Sequence, residues 1–170
     1  GSFLECILNK GMRVLVVEHA QNIKTKVATM SAYFNEESAR GIVHMLGKAK
    51  LVTATNVFAH IDDLQEFLRA LDILLDDDGV FFAQFPDARN LLKENQFDTI
   101  YHEHFSYFSL TSAAAIFERQ GLRVFDVEEL TTHGGSLRVY ACHKEAAFSS
   151  SNRVQDWLDQ EKEFGLTDLR

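Results

Sequence analysis

Short apolar runs alternate with segments of helical periodicity along the first half of the chain, and this alternation restricts the folds that it can adopt. A run such as MRVLVVE, residues 12–18, is typical of a strand buried on both faces of a parallel sheet. In residues 36–47 and 64–75, apolar residues recur every three to four positions, which predicts helices. Strands that alternate with helices predict an α/β domain with a largely parallel sheet. The other elements predicted in this half are a helix at 3–9, strands at 25–34 and 79–86, a buried strand that runs into a loop over 49–61, and a DDDG turn at 76–79.

The second half of the chain, after its single proline, follows a different pattern. The segment LTSAAAIFERQG, residues 110–121, predicts a helix, for which Thr111 is a candidate N-cap. Two runs at 123–130 and 136–143 are joined by TTHGGS, an arrangement that predicts an antiparallel strand pair. An amphipathic helix is predicted over 153–165. No internal repeat or linker divides these elements, so we expect one domain.

The charge and composition exclude several classes of protein. With 17 Lys and Arg against 25 Asp and Glu, the formal net charge is −8, and no basic stripe is present to neutralise a nucleic-acid backbone. No apolar run approaches the roughly 20 residues of a membrane span, and no signal peptide is visible. The two cysteines, Cys6 and Cys142, are far apart and predict no disulfide framework. We therefore expect a cytoplasmic protein without a nucleic-acid or membrane partner.

Three polar residues follow predicted strands, at the sheet edge where the ligands of doubly wound folds collect. Glu18 ends the first strand, where its carboxylate could accept hydrogen bonds from the hydroxyls of a ribose; the alternative is a solvated acid at a strand end. Asn56 and His60 follow the LVTAT run and face the same edge. For His60, the alternatives are a ligand contact and an ordinary packed or surface histidine.

The segment FDTIYHEHFSYFS, residues 97–109, combines aromatic residues with titratable ones. Apolar surroundings favour the neutral form of an imidazole, which keeps it able to accept a proton as a general base. In an extended chain, His102 and His104 would share one face and Glu103 the other, and a nearby carboxylate could orient the imidazole or stabilise its protonated form. The segment therefore indicates general-base chemistry next to a carbonyl. The alternative is an aromatic-rich strand whose histidines only satisfy backbone groups.

A metal site is not indicated by the spacing of the potential ligands. They form no H-E-x-x-H or C-x-x-C pattern. These residues are His102, Glu103, His104, His133 and His143. The glycines of HGG, residues 133–135, allow the backbone to approach a ligand closely, or else form a tight turn between the two final strands.

Six stretches occur in an order and spacing that resemble one family: VVEHAQNI, ATNVFAHIDDL, DGVFFAQFP, FDTIYHEHFSYFSLTS, FERQGLRVFDVEEL and HGGSLRVYACH. The family is that of the S-adenosylmethionine-dependent sugar C-methyltransferases, which methylate carbon 3 of nucleotide-linked 4-keto-deoxysugars. The resemblance extends from Gly1 to about Gly165, and Y-x-E-H-F-x-x-F-S together with H-G-G is its most specific part. It implies a class I methyltransferase fold, a doubly wound and mostly parallel sheet with a terminal antiparallel strand pair. It also implies a cofactor-binding half, residues 1–86, and a substrate-binding half, residues 87–170, within a single domain.

The resemblance implies catalytic roles for four residues. His104 is the base that removes the proton next to the 4-keto group, so that the resulting enolate attacks the methyl group of the cofactor. Glu103 orients or polarises His104. Tyr101 and His60 hydrogen-bond the keto oxygen and stabilise the enolate, which is the role of an oxyanion hole.

Six further residues match binding positions of the family. For the S-adenosylmethionine cofactor they are Gly1, Glu18, Phe34 and Asn56, and for the nucleotide-sugar substrate they are His133 and Arg138. In this interpretation Glu18 holds the ribose, Phe34 packs on the adenine, and Gly1 belongs to a glycine-rich turn. No metal is implied for this chain.

The sequence departs from the family pattern at its start. Family members carry a cysteine-rich zinc-binding domain and then a strand that leads into a glycine-rich turn, broadly E-I-G-S-N-D-G-S-F-L, whereas this sequence opens at GSFLE. We expect a sheet that lacks its first, central strand. The open apolar slot that this leaves in the sheet favours a homodimer or a swapped assembly. We also expect an incomplete cofactor site, which puts the activity of this chain alone in question. The alternative functions are a non-catalytic α/β remnant that binds itself or a partner, and an O-methyltransferase or small-molecule methyltransferase.

Overall fold

The helices and strands follow the predicted order. The computed structural model describes residues 2–19 and 25–167. The α-helices are Ser2–Asn9 (α1), Glu36–Leu46 (α2), Leu64–Leu74 (α3), Ala88–Lys93 (α4), Leu110–Arg119 (α5) and Asn152–Phe164 (α6). The β-strands are Leu15–Val17 (β1), Ala28–Met30 (β2), Ala49–Thr55 (β3), Leu75–Pro86 (β4), Leu122–Leu130 (β5) and Ser136–His143 (β6). Short 3-10 helices lie at Phe58–His60, Phe97–Thr99 and Thr132–Gly134.

The described strands form two sheets. β1 and β2 pair in parallel, and the second sheet has the order β3-β4-β6-β5. β3 runs parallel to β4, whereas β6 is antiparallel to both β4 and β5. Three of the four strands in the larger sheet therefore point the same way. The prediction of an α/β fold with a mostly parallel sheet and a terminal antiparallel strand pair is confirmed.

One helical layer supports both sheets. α2 and α3 pack side by side through a small hydrophobic cluster of Ala39, Ile42, Ala70 and Leu74. Partly buried residues of three strands contact this cluster: Leu15, Val17, Met30, Ala49 and Val52. Within residues 2–19 and 25–167, no strand joins the two sheets, so a break is present in the sheet as expected.

The main core is built largely from phenylalanine rings. Phe81 and Phe85 of β4 and Phe117 of α5 surround Phe58, with ring centroids 5.8 to 6.4 Å from it, and all four side chains are fully buried. Because side chains alternate along a strand, Phe81 and Phe85 face this core, while Phe82 between them faces the other side of the sheet. The last residues of β4 thus lie next to the 3-10 helix that contains Phe58.

The DDDG segment forms no turn, contrary to the prediction, but continues β4 from Leu75. Its carboxylates face lysines near the start of β3. Lys48 Nζ lies 2.9 Å from Asp77 Oδ1, and Lys50 Nζ pairs with Asp78. These opposite charges across the strand ladder let adjacent aspartates adopt extended backbone.

Side-chain caps determine where the helices near the aromatic segment begin. At the start of α3, Asp63 accepts a hydrogen bond from the Glu66 amide. α5 is capped by Ser109, which accepts from the Ser112 amide, so the predicted cap at Thr111 is wrong. Since Ser109 is also the last residue of the aromatic segment, its cap sets the point where that segment ends.

None of the helices in the described part of the chain has the length and hydropathy needed to cross a bilayer.

Candidate active site

The aromatic segment, residues 97–109, is a series of turns rather than a strand. The 3-10 helix Phe97–Thr99 is followed by a turn in which the His104 amide donates to the Tyr101 carbonyl at 3.0 Å. The expected extended alternation, with His102 and His104 on one face, is therefore wrong. The turn instead brings together residues three positions apart. Tyr101 and His104 lie side by side, with ring centroids 4.1 Å apart.

Backbone hydrogen bonds dock this segment onto the 3-10 helix that follows β3. The Ala59 carbonyl accepts from the amides of residues 105–106, at 2.9 and 3.3 Å. In return, Nδ1 of His60 bonds a backbone carbonyl of the segment at 2.8 Å. The docking places the imidazole rings of His60 and His104 in contact, with centroids 4.8 Å apart, although the two residues are distant in sequence.

Both nitrogens of the His104 ring have a hydrogen-bond partner. Nδ1 lies 2.9 Å from the carbonyl oxygen of Thr99, which can only accept, so Nδ1 carries the hydrogen. In the neutral ring, Nε2 is then an unprotonated acceptor, and the Tyr101 hydroxyl donates to it at 2.9 Å. His104 is therefore held in a tautomer suited to a general base, with its basic nitrogen facing Tyr101.

His60 is held in the same tautomer. Its Nδ1 bonds the backbone carbonyl of Glu103, so Nδ1 carries the hydrogen and Nε2 of the neutral ring is an acceptor. A neutral His60 has no hydrogen to donate to a keto oxygen through Nε2. Only the protonated ring can serve as the oxyanion donor that the resemblance implies.

The carboxylate of Glu103 faces solvent and His102 rather than the His104 ring. Its Oε1 lies 4.0 Å from Nε2 of His102, and both side chains are exposed. The contact that orients His104 comes from the Thr99 carbonyl. Glu103 instead contributes to the site through its backbone carbonyl, which accepts a hydrogen bond from Nδ1 of His60.

Two contributors to the site are absent from the residues predicted by sequence. Thr99 acts through its backbone carbonyl, for which a sequence carries no signal. Tyr107 packs edge-on against His104, with centroids 5.8 Å apart, and its hydroxyl donates to the Thr99 carbonyl at 3.3 Å. Spacing is the signal for Tyr107, because Tyr101, His104 and Tyr107 recur every third residue.

The surface around the two imidazoles is open and apolar. A cavity of about 10 Å³ lies beside His104, which is room for roughly one water molecule. Outside it, large apolar side chains remain exposed, Phe97 by 80% and Phe105 by 60%. Since His104 itself is only half-buried, a ligand would lie across this surface rather than inside an enclosed pocket.

A buried carboxylate lies where β4 ends. Asp87 caps α4 by accepting from the Arg89 amide at 3.0 Å, and its Oδ2 has no hydrogen-bond partner among the described residues. Burial raises the pKa of Asp87 above its ordinary value of 3.8, and the Arg89 amide and guanidinium oppose that rise. A β-bridge pairs Asp87 with Phe108, so this residue joins the end of β4 to the end of the aromatic segment.

The predicted cofactor residues lie at the ends of two strands. Glu18 follows β1 with its carboxylate about one-third exposed, 3.3 Å from Nδ1 of His19. Asn56 follows β3 in a left-handed conformation, with φ of 54°. Phe34 packs edge-on against the core ring of Phe67, with centroids 5.0 Å apart, so part of its surface is occupied by the core. Gly1 lies outside the described residues.

Arg138 lies on the side of the sheet that faces away from the imidazole rings. It pairs in register with Gln84 of β4, and its guanidinium donates to Gln84 Oε1 at 3.1 Å and to Glu128 Oε2 at 3.5 Å. Phe85, beside the site, points to the opposite side of the sheet because it is the next residue in the strand. The structure therefore does not bring Arg138 and His104 together.

The HGG turn packs against the chain that precedes the aromatic segment. Gly134 and Gly135 both have positive φ, and the Gly134 carbonyl accepts from Gln96 Nε2 at 2.8 Å. A Cβ atom on Gly135 would lie 3.2 Å from Cγ of Asn90, so glycine is required by a close protein contact. The side chain of His133 lies outside the described part of the chain.

The candidate metal ligands whose side chains the structure describes do not converge. Within residues 2–19 and 25–167, no three histidine, cysteine or acidic side chains approach one another closely enough to hold an ion. His143 lies at the far end of β6, 3.6 Å from Asp72, and is therefore remote from the HGG turn that begins the strand.

Two family models cover nearly the whole chain. A model described as a methyltransferase domain matches residues 3–127, and one described as a C-methyltransferase C-terminal domain matches residues 131–170. The first match ends within β5, and the second begins directly after that strand. His60 and the aromatic segment consequently fall within the first match, and Arg138 falls within the second.

Individual methyltransferases resemble the chain in sequence and in structure. C-methyltransferase NovU of Streptomyces niveus is 42% identical over 171 residues, a match that covers 98% of this chain and 41% of NovU. This chain thus spans less than half the length of that curated relative. The structure of 1,6-didemethyltoxoflavin-N1-methyltransferase from Burkholderia thailandensis, with bound S-adenosylhomocysteine, gives a TM-score of 0.60 at 15% identity and covers 83% of this chain and 65% of that chain. A SAM-dependent methyltransferase from Anabaena variabilis gives 0.55 at 13% identity, covering 81% and 71%. At such identities the structural likeness shows the fold.

Proposed function

This chain belongs to the methyltransferase domain family, and we propose that it transfers a methyl group from S-adenosylmethionine to a carbon atom of a nucleotide-linked keto-deoxysugar. One observation carries the proposal: the Thr99 carbonyl holds a ring hydrogen of His104 on Nδ1, so Nε2 is the basic nitrogen of the neutral ring, the form that a proton abstraction next to a ketone requires. The identity to NovU and the C-methyltransferase C-terminal match support carbon, rather than oxygen, as the methyl acceptor.

A carbon atom must be activated before it can accept a methyl group. A 4-keto group acidifies the hydrogen on the neighbouring carbon, and Nε2 of His104 accepts that proton while the C–H electrons form an enolate. When bound, S-adenosylmethionine supplies an electrophilic methyl group, which the enolate carbon takes with loss of S-adenosylhomocysteine. The proton on His104 then returns to solvent, which restores the neutral imidazole.

Stabilisation of the enolate oxygen requires a hydrogen-bond donor. The Tyr101 hydroxyl is a donor next to His104, so it is suited to this role. His60 could add a second hydrogen bond through Nε2, but only as the protonated ring, because its other nitrogen is committed to the Glu103 carbonyl. We therefore assign the main oxyanion contact to Tyr101.

The cofactor would be held at the carboxyl ends of β1 and β3. Glu18 ends the first of these strands with a partly exposed carboxylate, which fits two ribose hydroxyls. Asn56 follows the second, in a backbone conformation that turns the chain sharply at the sheet edge. Phe34, which is half-buried against Phe67, would line this pocket with its exposed edge.

The sugar would lie across the exposed aromatic surface. Phe97, Ile100 and Phe105 of the aromatic segment, which also carries His104, expose apolar area to solvent. A deoxysugar has fewer hydroxyls than a common hexose and therefore offers apolar edges that such a surface can cover. Binding of the nucleotide by His133 and Arg138 stays a prediction of the resemblance.

Hydrogen exchange tests the proposal. In D₂O, proton NMR should show the chain replacing the hydrogen next to the ketone of a 4-keto-deoxysugar nucleotide, and His104→Asn should slow this exchange roughly 10²- to 10⁴-fold. His102→Asn is the matched control, since its imidazole is two residues away but exposed. Exchange that is unchanged in His104→Asn would contradict the base assignment.

A second function is favoured by the break between the sheets. Strand edges that lack a partner among the described residues can pair with another chain, which fits a non-catalytic unit that associates with itself. Light scattering after size exclusion, combined with calorimetric titration of S-adenosylmethionine, separates the two functions. A dimer that does not bind the cofactor would favour the second.

A further inference from the structure

We infer that the Tyr101 hydroxyl caps the base: it occupies Nε2 of His104 in the resting protein and transfers its hydrogen bond to the carbonyl oxygen of an arriving keto substrate. The inference rests on the proposed function. It adds a selection step to that function, because the base becomes available only to a ligand that offers a strong acceptor beside the acidic C–H bond.

The cap follows from the assignment of hydrogens on the His104 ring. The Thr99 carbonyl fixes the ring hydrogen on Nδ1, and this leaves the Nε2 lone pair as the only basic position. That lone pair receives the Tyr101 hydrogen at 2.9 Å. A lone pair that already accepts a hydrogen bond must give it up before it can take a proton from carbon.

Tyr101 has one hydroxyl hydrogen and two destinations for it. In the resting protein the Tyr101 hydroxyl donates this hydrogen to Nε2 of His104, whereas in the proposed reaction it must donate it to the enolate oxygen. The growing negative charge on that oxygen makes it the stronger acceptor, because hydrogen bonds to charged groups are about twice as strong as those between neutral groups. One displacement therefore frees the base and stabilises the enolate at the same time.

Tyr101, rather than His104, is free to move. His104 is anchored on one side by the Thr99 carbonyl, and the ring of Tyr107 packs against its edge. The Tyr101 side chain is exposed, and the described contact of its hydroxyl is the one to His104. A small rotation of Tyr101 breaks this contact and leaves the imidazole in place.

Acylation by diethyl pyrocarbonate tests the cap without substrate or cofactor. The reagent attacks unprotonated imidazole nitrogen, and mass spectrometry of peptides measures the rate at each histidine. Tyr101→Phe keeps the ring and removes the hydroxyl, so acylation of His104 should rise roughly 2- to 10-fold, the range that one neutral hydrogen bond supports. Tyr107→Phe is the matched control for loosening of the segment, because it removes a hydroxyl that bonds the Thr99 carbonyl but leaves the Tyr101 hydroxyl on Nε2, so the rise in acylation should be smaller than in Tyr101→Phe. The exposed His102 provides an internal reference.

Two results would overturn the inference. One is equal acylation of His104 in the wild-type chain and in Tyr101→Phe; the other is an equal rise in Tyr107→Phe, which would indicate a loosened segment. The exchange assay adds a second readout, because Tyr101→Phe should slow hydrogen exchange of the keto sugar while it speeds acylation. If the proposed function fails, no variant exchanges hydrogen, yet the acylation result still decides whether Tyr101 caps His104.

Discussion

Two regions of this protein are rich in aromatic residues, and only one of them is buried. Around Phe58, the rings of Phe81, Phe85 and Phe117 are fully buried, whereas Phe97 and Phe105 of the aromatic segment are mostly exposed. The core rings project from β4 and α5, so that each ring meets an opposing layer. The aromatic segment has turns, one short 3-10 helix and a single β-bridge, and of its three phenylalanines only Phe108 reaches the core, where its ring lies 4.9 Å from that of Phe58. Aromatic composition is therefore a poor guide to burial when the backbone is irregular.

The aromatic segment is ordered by polar contacts instead. The Ala59 carbonyl, the His60 ring and the Thr99 carbonyl supply the hydrogen bonds that fix its path. Hydrogen bonds are directional, while apolar packing is not. The segment can therefore hold imidazole nitrogens in defined directions and still leave apolar surface free to meet a ligand.

Truncation of one ring in each region gives the largest expected contrast. Phe58→Ala should lower the free energy of unfolding by about 3–5 kcal/mol, because it leaves a cavity among fully buried rings. Phe97→Ala should change it by no more than about 0.5 kcal/mol, because the side chain is exposed. Urea unfolding followed by circular dichroism measures both values. Equal losses would show that the aromatic segment is packed in solution.

Substitutions of Glu161 test the junction between the aromatic segment and the buried part of the protein. This buried carboxylate on α6 accepts from the amides of Leu110 and Thr111, at 2.7 and 2.8 Å, just after the aromatic segment ends. Glu161→Ala should destabilise the fold by about 2–4 kcal/mol, since it leaves both amides without this acceptor, while Glu161→Gln keeps one of the two acceptor oxygens and should cost about 1–2 kcal/mol. Thermal unfolding of the two variants provides the measurement. A Gln variant as unstable as the Ala variant would mean that a single neutral acceptor does not replace any of the carboxylate's contribution.

Asp87 should give the smallest effect, a change in the pH dependence of stability. Burial raises its pKa in the folded protein above 3.8, so the folded state holds the proton more tightly than the unfolded state. The stabilisation that the protonated Asp87 provides is fully present below pH 3.8, and it is lost as the pH rises through the pKa of Asp87 in the folded state. In Asp87→Asn this loss should be absent, so the stability of the variant relative to wild type should increase over that interval and then level off. A difference that stays constant across the interval in urea titrations would contradict the raised pKa.

Several elements of the fold follow directly from sequence patterns. The helices at 36–46 and 64–74 and the final antiparallel pair were predicted because periodicity is local and each period matches one backbone geometry. The prediction of a turn at DDDG is wrong because Lys48 and Lys50, which pair with those aspartates, lie at and just before the start of another strand. A local pattern contains no information about charges that arrive from elsewhere in the chain.

The sequence predicted which residues form the candidate site more completely than it predicted the contacts between them. The motif identified Tyr101, His104 and His60, which the structure brings together. It did not indicate that the Glu103 carboxylate faces solvent or that a Thr99 carbonyl orients the base. Backbone carbonyls are present at every residue, so only their position in space distinguishes the one that acts.

By itself, the sequence determined the α/β class, the strand polarity and the identity of the imidazoles, because these depend on residue type and short-range spacing. Only the tertiary structure decided which nitrogen of each imidazole carries the hydrogen and which side chain meets the other nitrogen. The physical reason is that a tautomer is set by its hydrogen-bond partners. For His60, that partner is a carbonyl that lies far away in the sequence and is brought close by folding.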